Sequence, residues 1–201
     1  MPSLPKEMFE KEKSLLKEKG ELPFDFKYLG NIDIKLTLDK VYTITEEQWS
    51  EHGIRNEEFR VHNHTNAFEI IWDPDSLITG LAGKRNREHY NQIDFNKVKD
   101  KLQPIFSEHY GPGWYIRVLL ARLKPYGRIP VHRDRGVSLM EVKRIHIPLV
   151  TNQNIDFRVG DTIKNLKAGE VWEINNARKH AVNNNSEEHR IHLIVDYLPK
   201  S

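Results

Sequence analysis

From residue 114 to its end the chain reads as a succession of short strands, at 114–123, 144–150, 155–159, 171–174 and 190–197, each stopped by Gly, Asn or Asp. Short strands separated at close intervals by turn residues specify a sandwich or jelly roll, because each strand must bury one face and the chain must turn back to bury the next. Two of these strands carry a further constraint. In Arg144-Ile145-His146-Ile147 and in Arg190-Ile191-His192-Leu193, the two-residue period puts Arg and His on one face and branched aliphatics on the other. A buried guanidinium or imidazole is costly unless paired. The polar face is therefore expected to look into a barrel mouth that receives an anion.

The same third of the chain contains His132-Arg133-Asp134 and, further on, His180. At spacing i, i+2 on a strand or its end, His132 and Asp134 point to one side and can grip one ion. His180 lies far enough downstream for several short strands to go out and return beside them. Two imidazoles and one carboxylate leave the other metal positions open, which is the donor set of non-haem Fe(II) oxygenases. Ten residues beyond His180 comes Arg190, and a guanidinium at a fixed distance from a metal clamps a carboxylate through two parallel hydrogen bonds. A lone H-x-D in a chain with ten histidines carries little; the ordered set, with two R-x-H strands, carries much more.

Length and composition narrow the remaining classes. The 201 residues suit a single domain, with an N-terminal helix and strand portion at 1–111 flanking a β core at 112–199. Lys and Arg total 31 against 29 Asp and Glu, so the overall balance calls for neither nucleic acid nor an anionic membrane as partner. The absence of cysteine excludes disulfides, zinc fingers and thiol nucleophiles. The first twenty residues have no apolar signal region, and the expected location is the cytoplasm. There is no serine nucleophile motif, Gly-rich phosphate loop or H-E-x-x-H helix.

The N-terminal half reads less sharply. Charges alternating around Met8, Phe9, Leu15 and Leu16, closed by Gly20, predict an amphipathic helix over 5–19. Ile32, Ile34, Leu36 and Leu38 alternate with polar residues and predict a half-buried strand within 22–44. Thr45 with Gln48 predicts a capped short helix ending near Gly53. A strand is expected at 68–72, stopped by a turn at Asp73-Pro74-Asp75; an exposed basic loop at 81–91, including Arg85, Arg87 and His89; and a helix at 95–109 that Pro104 bends or shortens. His62 and His64 read as surface or substrate-side residues, Asn183-Asn184-Asn185 as a turn, and Trp114 and Trp172 as core.

His180-Ala181-Val182, the step to Arg190 and the ending Ile194-Val195-Asp196-Tyr197-Leu198-Pro199 resemble the aspartyl/asparaginyl β-hydroxylase family. So do the run from Pro125 to His132, Arg144-Ile145-His146, and the run from Leu166 to Trp172. The likeness covers roughly 112–199. It implies a double-stranded β-helix, mainly β with flanking helices, that uses Fe(II), 2-oxoglutarate and O2 to hydroxylate an amino-acid side chain, free or within a polypeptide. It also implies that His132, Asp134 and His180 hold the iron, that Arg190 pairs with the distal carboxylate of 2-oxoglutarate, and that Arg144 and His146 lie near its metal-proximal carboxylate. Some aspartyl hydroxylases lack the metal carboxylate. Asp134 makes this chain more similar to members with a complete triad, such as proline 3-hydroxylases, while a Ser that assists the cosubstrate in aspartyl hydroxylases is replaced here by Ala121.

Two further readings belong beside these. On the strand period Arg117 shares a face with Ala121, which makes it either an anchor for a substrate carboxylate or a member of a structural ion pair. A jelly roll with a basic mouth also serves a non-catalytic module that binds a small acid or sugar, and fold alone does not separate this from an oxygenase.

Overall fold

The computed structural model describes residues 6–50, 63–72 and 87–200. Its strands are β1 (Phe26–Asn31), β2 (Thr65–Ile71), β3 (Gly113–Leu123), β4 (Arg128–His132), β5 (Lys143–Val150), β6 (Ile155–Val159), β7 (Thr162–Lys164), β8 (Glu170–Ile174), β9 (His180–Asn184) and β10 (Arg190–Pro199). Six of them pair in the order β1-β8-β5-β10-β3-β2, and the other four in the order β4-β9-β6-β7. The two antiparallel sheets face each other as a double-stranded β-helix. The portion before residue 112 supplies β1 and β2, the two edge strands of the larger sheet.

The helices are α1 (Lys6–Gly20), α2 (Lys35–Val41), α3 (Glu46–Ser50), α4 (Arg87–Ile93), α5 (Phe95–Tyr110) and α6 (Val137–Glu141). The larger sheet is covered on both faces, so its central strands are buried almost throughout. On one face Val118, Leu120, Ile145, Ile147, Leu193 and Val195 join Val98, Leu102 and Phe106 of α5 in the main core. Each fully buried large aliphatic contributes about 1.5–3 kcal/mol. On the other face Leu123 and Ile174 meet Ile155, Phe157, Val159 and Val182 of the smaller sheet. That second core closes one end of the barrel and leaves the polar residues to line the other.

Several local expectations are corrected. The alternating segment at 32–38 is not a strand: after β1 the chain turns into α2, with Thr37 and Val41 buried and Leu36 54% exposed. Ile34, Leu38 and Val41 meet the core at helical spacing, so a 3.6 period replaced an apparent period of two. Residues 87–93 form α4 rather than an exposed loop. There His89 stacks on Phe68 at 3.6 Å and its Nδ1 lies 2.9 Å from the Glu69 carbonyl oxygen, so this histidine is not part of a solvated basic patch. Asn183 and Asn184 belong to β9, and buried Asn184 donates to the Lys124 and Glu188 carbonyls at 2.9 and 2.7 Å. Trp114 is 47% exposed, whereas Trp172 packs against the second core.

Other expectations stand. Thr45 and Gln48 form a reciprocal capping box, Thr45 N–H to Gln48 Oε1 at 3.0 Å and Gln48 N–H to Thr45 Oγ1 at 3.2 Å. The helix expected at 95–109 is present, but Pro104 does not shorten it: α5 runs through to Tyr110 and stops where Gly111 takes φ +74°. The end of α3 near Gly53, His62, the turn at Asp73 to Asp75, Arg85 and the first part of the 81–91 loop lie outside the described residues.

Candidate metal centre and cosubstrate pocket

His132 ends β4 and His180 begins β9, and the two are cross-strand partners in the register of the smaller sheet. Their rings lie 4.2 Å apart. Asp134, two residues past His132, turns back to the same side. His132 Nε2 and His180 Nε2 lie 3.9 and 3.8 Å from Asp134 Oδ1, separations that one ion can span at about 2.0–2.2 Å from each ligand atom. Among the described residues His132, Asp134 and His180 form a cluster able to hold a metal.

The opposite end of each side chain is fixed. His132 Nδ1 lies 2.8 Å from the Pro130 carbonyl oxygen, and His180 Nδ1 lies 3.0 Å from that of Arg178. A carbonyl only accepts, so each ring carries its proton on Nδ1 and turns a lone pair on Nε2 toward Asp134. Asp134 Oδ2 accepts from Arg144 Nη1 at 2.7 Å and from Asn176 Nδ2 at 3.0 Å, which reserves Oδ1 for the ion. Burial by itself would raise the Asp134 pKa, but Arg144, His180 and the Asn176 hydrogen bond outweigh it and hold the carboxyl well below its usual range. Asp134 is thus ionised whenever it is needed as a ligand.

Arg144 is itself anchored. Its Nε and Nη2 donate to the two oxygens of Asp196 on β10, each at 2.8 Å. Arg117 reaches the same carboxylate from β3, Nε to Oδ2 at 2.5 Å, and donates to Ser138 Oγ and the Ser138 carbonyl of α6. Asp196 pairs in register with both Arg117 and Arg144, so a buried ion ladder crosses three strands and ends on Asp134. All the nitrogens of Arg117 are engaged and the residue is fully buried. This is the structural ion pair, and it leaves no part of Arg117 presented to a substrate.

At the other end of the same face Arg190 has different surroundings. It is 1% exposed, it contacts His192 Nδ1 at 2.7 Å and lies over the Phe157 ring, and its Nε has no hydrogen-bond partner. Burial with no carboxylate nearby pushes its pKa down to about 9; because a guanidinium keeps its charge in proteins, the pocket is built for an anion. His146 Nδ1 and His192 Nε2 are likewise buried without partners. Burial, followed by the charge of Arg190, depresses both imidazoles well below the ordinary histidine range. Arg190, His146, Phe157 and Ala121 line one cavity with the triad. The donor set and these orphaned donors fit a metal ion with an anionic cosubstrate beside it.

The structure therefore brings together His132, Asp134, His180, Arg190, Arg144 and His146, and sets Arg117 apart behind Asp196. Asn176, Asp196 and His192 complete the arrangement without having been singled out. His192 carried a signal, its place in the second R-x-H strand. Asp196 lay in the family-like ending but without an assigned role, and Asn176 carried no signal, since an Asp in a strand and an Asn in a turn acquire a role only through the partners the fold gives them.

The sequence profile of the aspartyl/asparaginyl β-hydroxylase family matches residues 40–199, which extends the likeness well into the N-terminal half. No curated protein sequence matches the chain. Among solved structures, an oxidoreductase of the 2OG-Fe(II) oxygenase family from Burkholderia pseudomallei superposes with a TM-score of 0.62 at 15% identity, over 93% of this chain and 89% of that one. ThoJ, a non-heme monooxygenase in complex with nickel, gives 0.56 at 13% identity over 87% and 74% of the two chains. The viral collagen prolyl hydroxylase vCPH of Paramecium Bursaria Chlorella virus-1, in complex with 2OG, gives 0.51 at 10% identity over 87% and 96%. Identities this low establish the shared fold; the family match establishes the class and sets an enzyme above a non-catalytic binding module. The chain belongs to the aspartyl/asparaginyl β-hydroxylase family and is a 2-oxoglutarate-dependent non-haem iron dioxygenase.

Proposed function

We propose that this chain hydroxylates an amino-acid side chain, free or within a polypeptide, with Fe(II) held by His132, Asp134 and His180 and with 2-oxoglutarate held by Arg190. The observation that carries the reading is the division of labour in the triad: three metal-facing atoms converge while the far side of every ligand is tied to backbone or to Arg144 and Asn176. When bound, the iron supplies the redox chemistry that couples decarboxylation of 2-oxoglutarate, to succinate and CO2, to insertion of one oxygen into a substrate C–H bond.

Arg190 would donate to the distal carboxylate through its fork, a charge-assisted contact that a Lys ammonium cannot reproduce. His146 and His192, neutral because they are buried, each have one nitrogen left to give to that ligand. Arg144 serves in this reading as a positioning residue, because its nitrogens are already committed to Asp134 and Asp196. The aliphatic wall of Ile129, Val182 and Ile194 keeps water from the reacting centre.

Anaerobic Fe(II) titration of the wild type, His180→Ala and Asp134→Ala tests the metal assignment, with circular dichroism to confirm folding; equal affinity in the three proteins would exclude it. Succinate release over a panel of amino acids and peptides, read by mass spectrometry for a gain of one oxygen, tests the reaction. Turnover that depends on one residue type identifies the substrate side chain.

A further inference from the structure

A cleft of about 780 Å3 lies outside the barrel. One wall is the face of α1 that carries Lys13, Leu16, Lys17 and Gly20; the other is the outer surface of the smaller sheet, with Val131, Arg158, Lys179 and Ala181. Residues 13, 16, 17 and 20 fall on one helical stripe. Helix α1 is held to the barrel by contacts on the adjoining side and at its C-terminal end. Lys19 Nζ donates to the Val142 and Leu139 carbonyls at 2.5 and 3.3 Å, Asn175 Nδ2 donates to the Lys19 carbonyl at 2.9 Å, and Glu12 Oε1 accepts the Gly136 N–H at 3.0 Å. The wall is thus a docked part of the fold. It also precedes the family-matched region, which begins at residue 40.

Charge sets this cleft apart from the rest of the surface. Six Lys and Arg residues line it against two carboxylates, Glu21 and Asp161, although the whole chain carries 31 cations against 29 anions. Two of the six are already committed: Arg178 to Asp25, Leu22 and Gly20, and Arg158 to the Gly160 carbonyl. Lys13, Lys17, Arg133 and Lys179 are the remaining four, on both walls. Like charges gathered in a concave surface repel one another and concentrate an anionic partner.

We infer that this cleft docks an acidic segment of the polypeptide on which the enzyme acts, so that charge outside the barrel selects the substrate presented to the triad. The inference rests on the reading of the chain as a hydroxylase acting on polypeptides. Two observations join the cleft to the site. His180 is a wall of both the cleft and the triad cavity, and Arg133 stands between His132 and Asp134, directed to the cleft side by the same alternation that turns those two inward. The remaining lining is aliphatic, with Leu16, Val131, Ala177 and Ala181, and has no Phe, Tyr or Trp. Single-stranded nucleic acid is held by base stacking on aromatic side chains, so the lining suits a peptide.

The test uses the intact metal-free chain and a fluorescein-labelled decaglutamate peptide, with binding read by anisotropy over a range of salt concentration. The peptide should bind, a neutral Gly-Ser peptide of equal length should not, and affinity should fall steeply with salt. Lys13→Glu combined with Lys17→Glu should weaken binding at least tenfold, while Fe(II) and 2-oxoglutarate affinities stay at wild-type values. Lys13→Gln combined with Lys17→Gln, which removes charge without reversing it, should give an intermediate loss. Equal binding of acidic and neutral peptides, wild-type binding by the Glu variant, or tighter binding of an oligothymidylate of the same charge would each overturn the inference. Because binding is read on the metal-free chain, the two failures are distinguishable: absence of acidic-peptide binding overturns the inference alone, whereas the hydroxylase reading stands or falls on the Fe(II) titration and the succinate assay.

Discussion

Strand β10 carries two buried charges of opposite sign on the same face, and their surroundings differ completely. At one end Asp196 is bracketed by Arg117 and Arg144, and the ladder terminates on Asp134. At the other end Arg190 is equally buried but has, among the described residues, a neutral imidazole and an aromatic ring beside it and no paired carboxylate. Charge balanced within the protein is architecture: it fixes the orientation of a ligand and has no capacity left for anything else. Charge buried without its counter-ion marks the place where something else must bind. The odd-numbered residues of the strand make a third contrast, since Ile191, Leu193 and Val195 belong to the apolar core and contribute by area alone.

The largest effect is expected where the balanced end is broken. Asp196→Ala leaves Arg117 with no carboxylate, bonded only to Ser138, and Arg144 with Asp134 alone, and removing one member of a buried ion pair costs about 3–5 kcal/mol. Urea unfolding of the metal-free protein should show this loss, and Fe(II) affinity should fall because Arg144, without Asp196 to anchor it, no longer fixes Asp134. A loss below about 1 kcal/mol would mean that the ladder is not a structural unit.

Next in size is the apolar side. Leu193→Ala should cost about 2–5 kcal/mol through lost burial and the cavity left behind. Because Leu193 faces away from the cavity, folded Leu193→Ala protein should keep wild-type metal and 2-oxoglutarate affinities. A change in either affinity without unfolding would show that the two faces are coupled.

Acid should separate the ends by pH. His146, His192 and His180 titrate below the ordinary histidine range in the fold, in each case chiefly through burial. The unfolded chain therefore binds more protons, so stability is fully present above about pH 6.5 and falls as pH drops below it. Asp134 and Asp196, held low by their arginines after burial is outweighed, contribute stability above about pH 3.9 and lose it only beneath that value. The thermal midpoint of metal-free protein should decline between pH 7 and pH 5, well before the carboxylates protonate. A flat profile over that interval would contradict the burial of neutral imidazoles.

The smallest change in stability is expected at the unbalanced end, with the opposite sign. Arg190→Met removes a buried charge that has no partner, so the ligand-free protein should be unchanged or more stable, by about 1 kcal/mol or less. The stabilisation that 2-oxoglutarate gives the wild type, about 2.7 kcal/mol at a hundredfold excess over Kd, should disappear. Thermal shift with and without 2-oxoglutarate measures both effects. A strongly destabilised ligand-free Arg190→Met would place Arg190 with the architecture instead.

Much of this was readable in residue order. The strand period placed Arg144 and His146, and Arg190 and His192, on one face, the i, i+2 spacing paired His132 with Asp134, and the Thr45–Gln48 cap marked the start of a helix. These are local facts, set by the geometry of a few consecutive residues, and they survive into any fold the chain adopts. What failed locally failed for one reason. Residues 32–38 alternate on paper, but a helix buries every third or fourth residue, and packing against α4 and the sheet selected that set.

The roles of the polar residues, by contrast, were decided only in three dimensions. Sequence put Arg117, Arg144 and Arg190 on inward faces, gave Arg190 and Arg144 to the two carboxylates of the cosubstrate, and left Arg117 open between a substrate anchor and an ion pair. Register placed Asp196 opposite Arg117 and Arg144, while among the described residues no carboxylate pairs with Arg190. The tautomers of His132 and His180 depended on carbonyls that the strand ends brought within 3.0 Å. The basic cleft arose only because α1 docks against a sheet far from it in sequence. A side chain's type and spacing fix which face it shares, but its chemistry follows from the charges and dipoles brought to it from distant parts of the chain, and that is a property of packing.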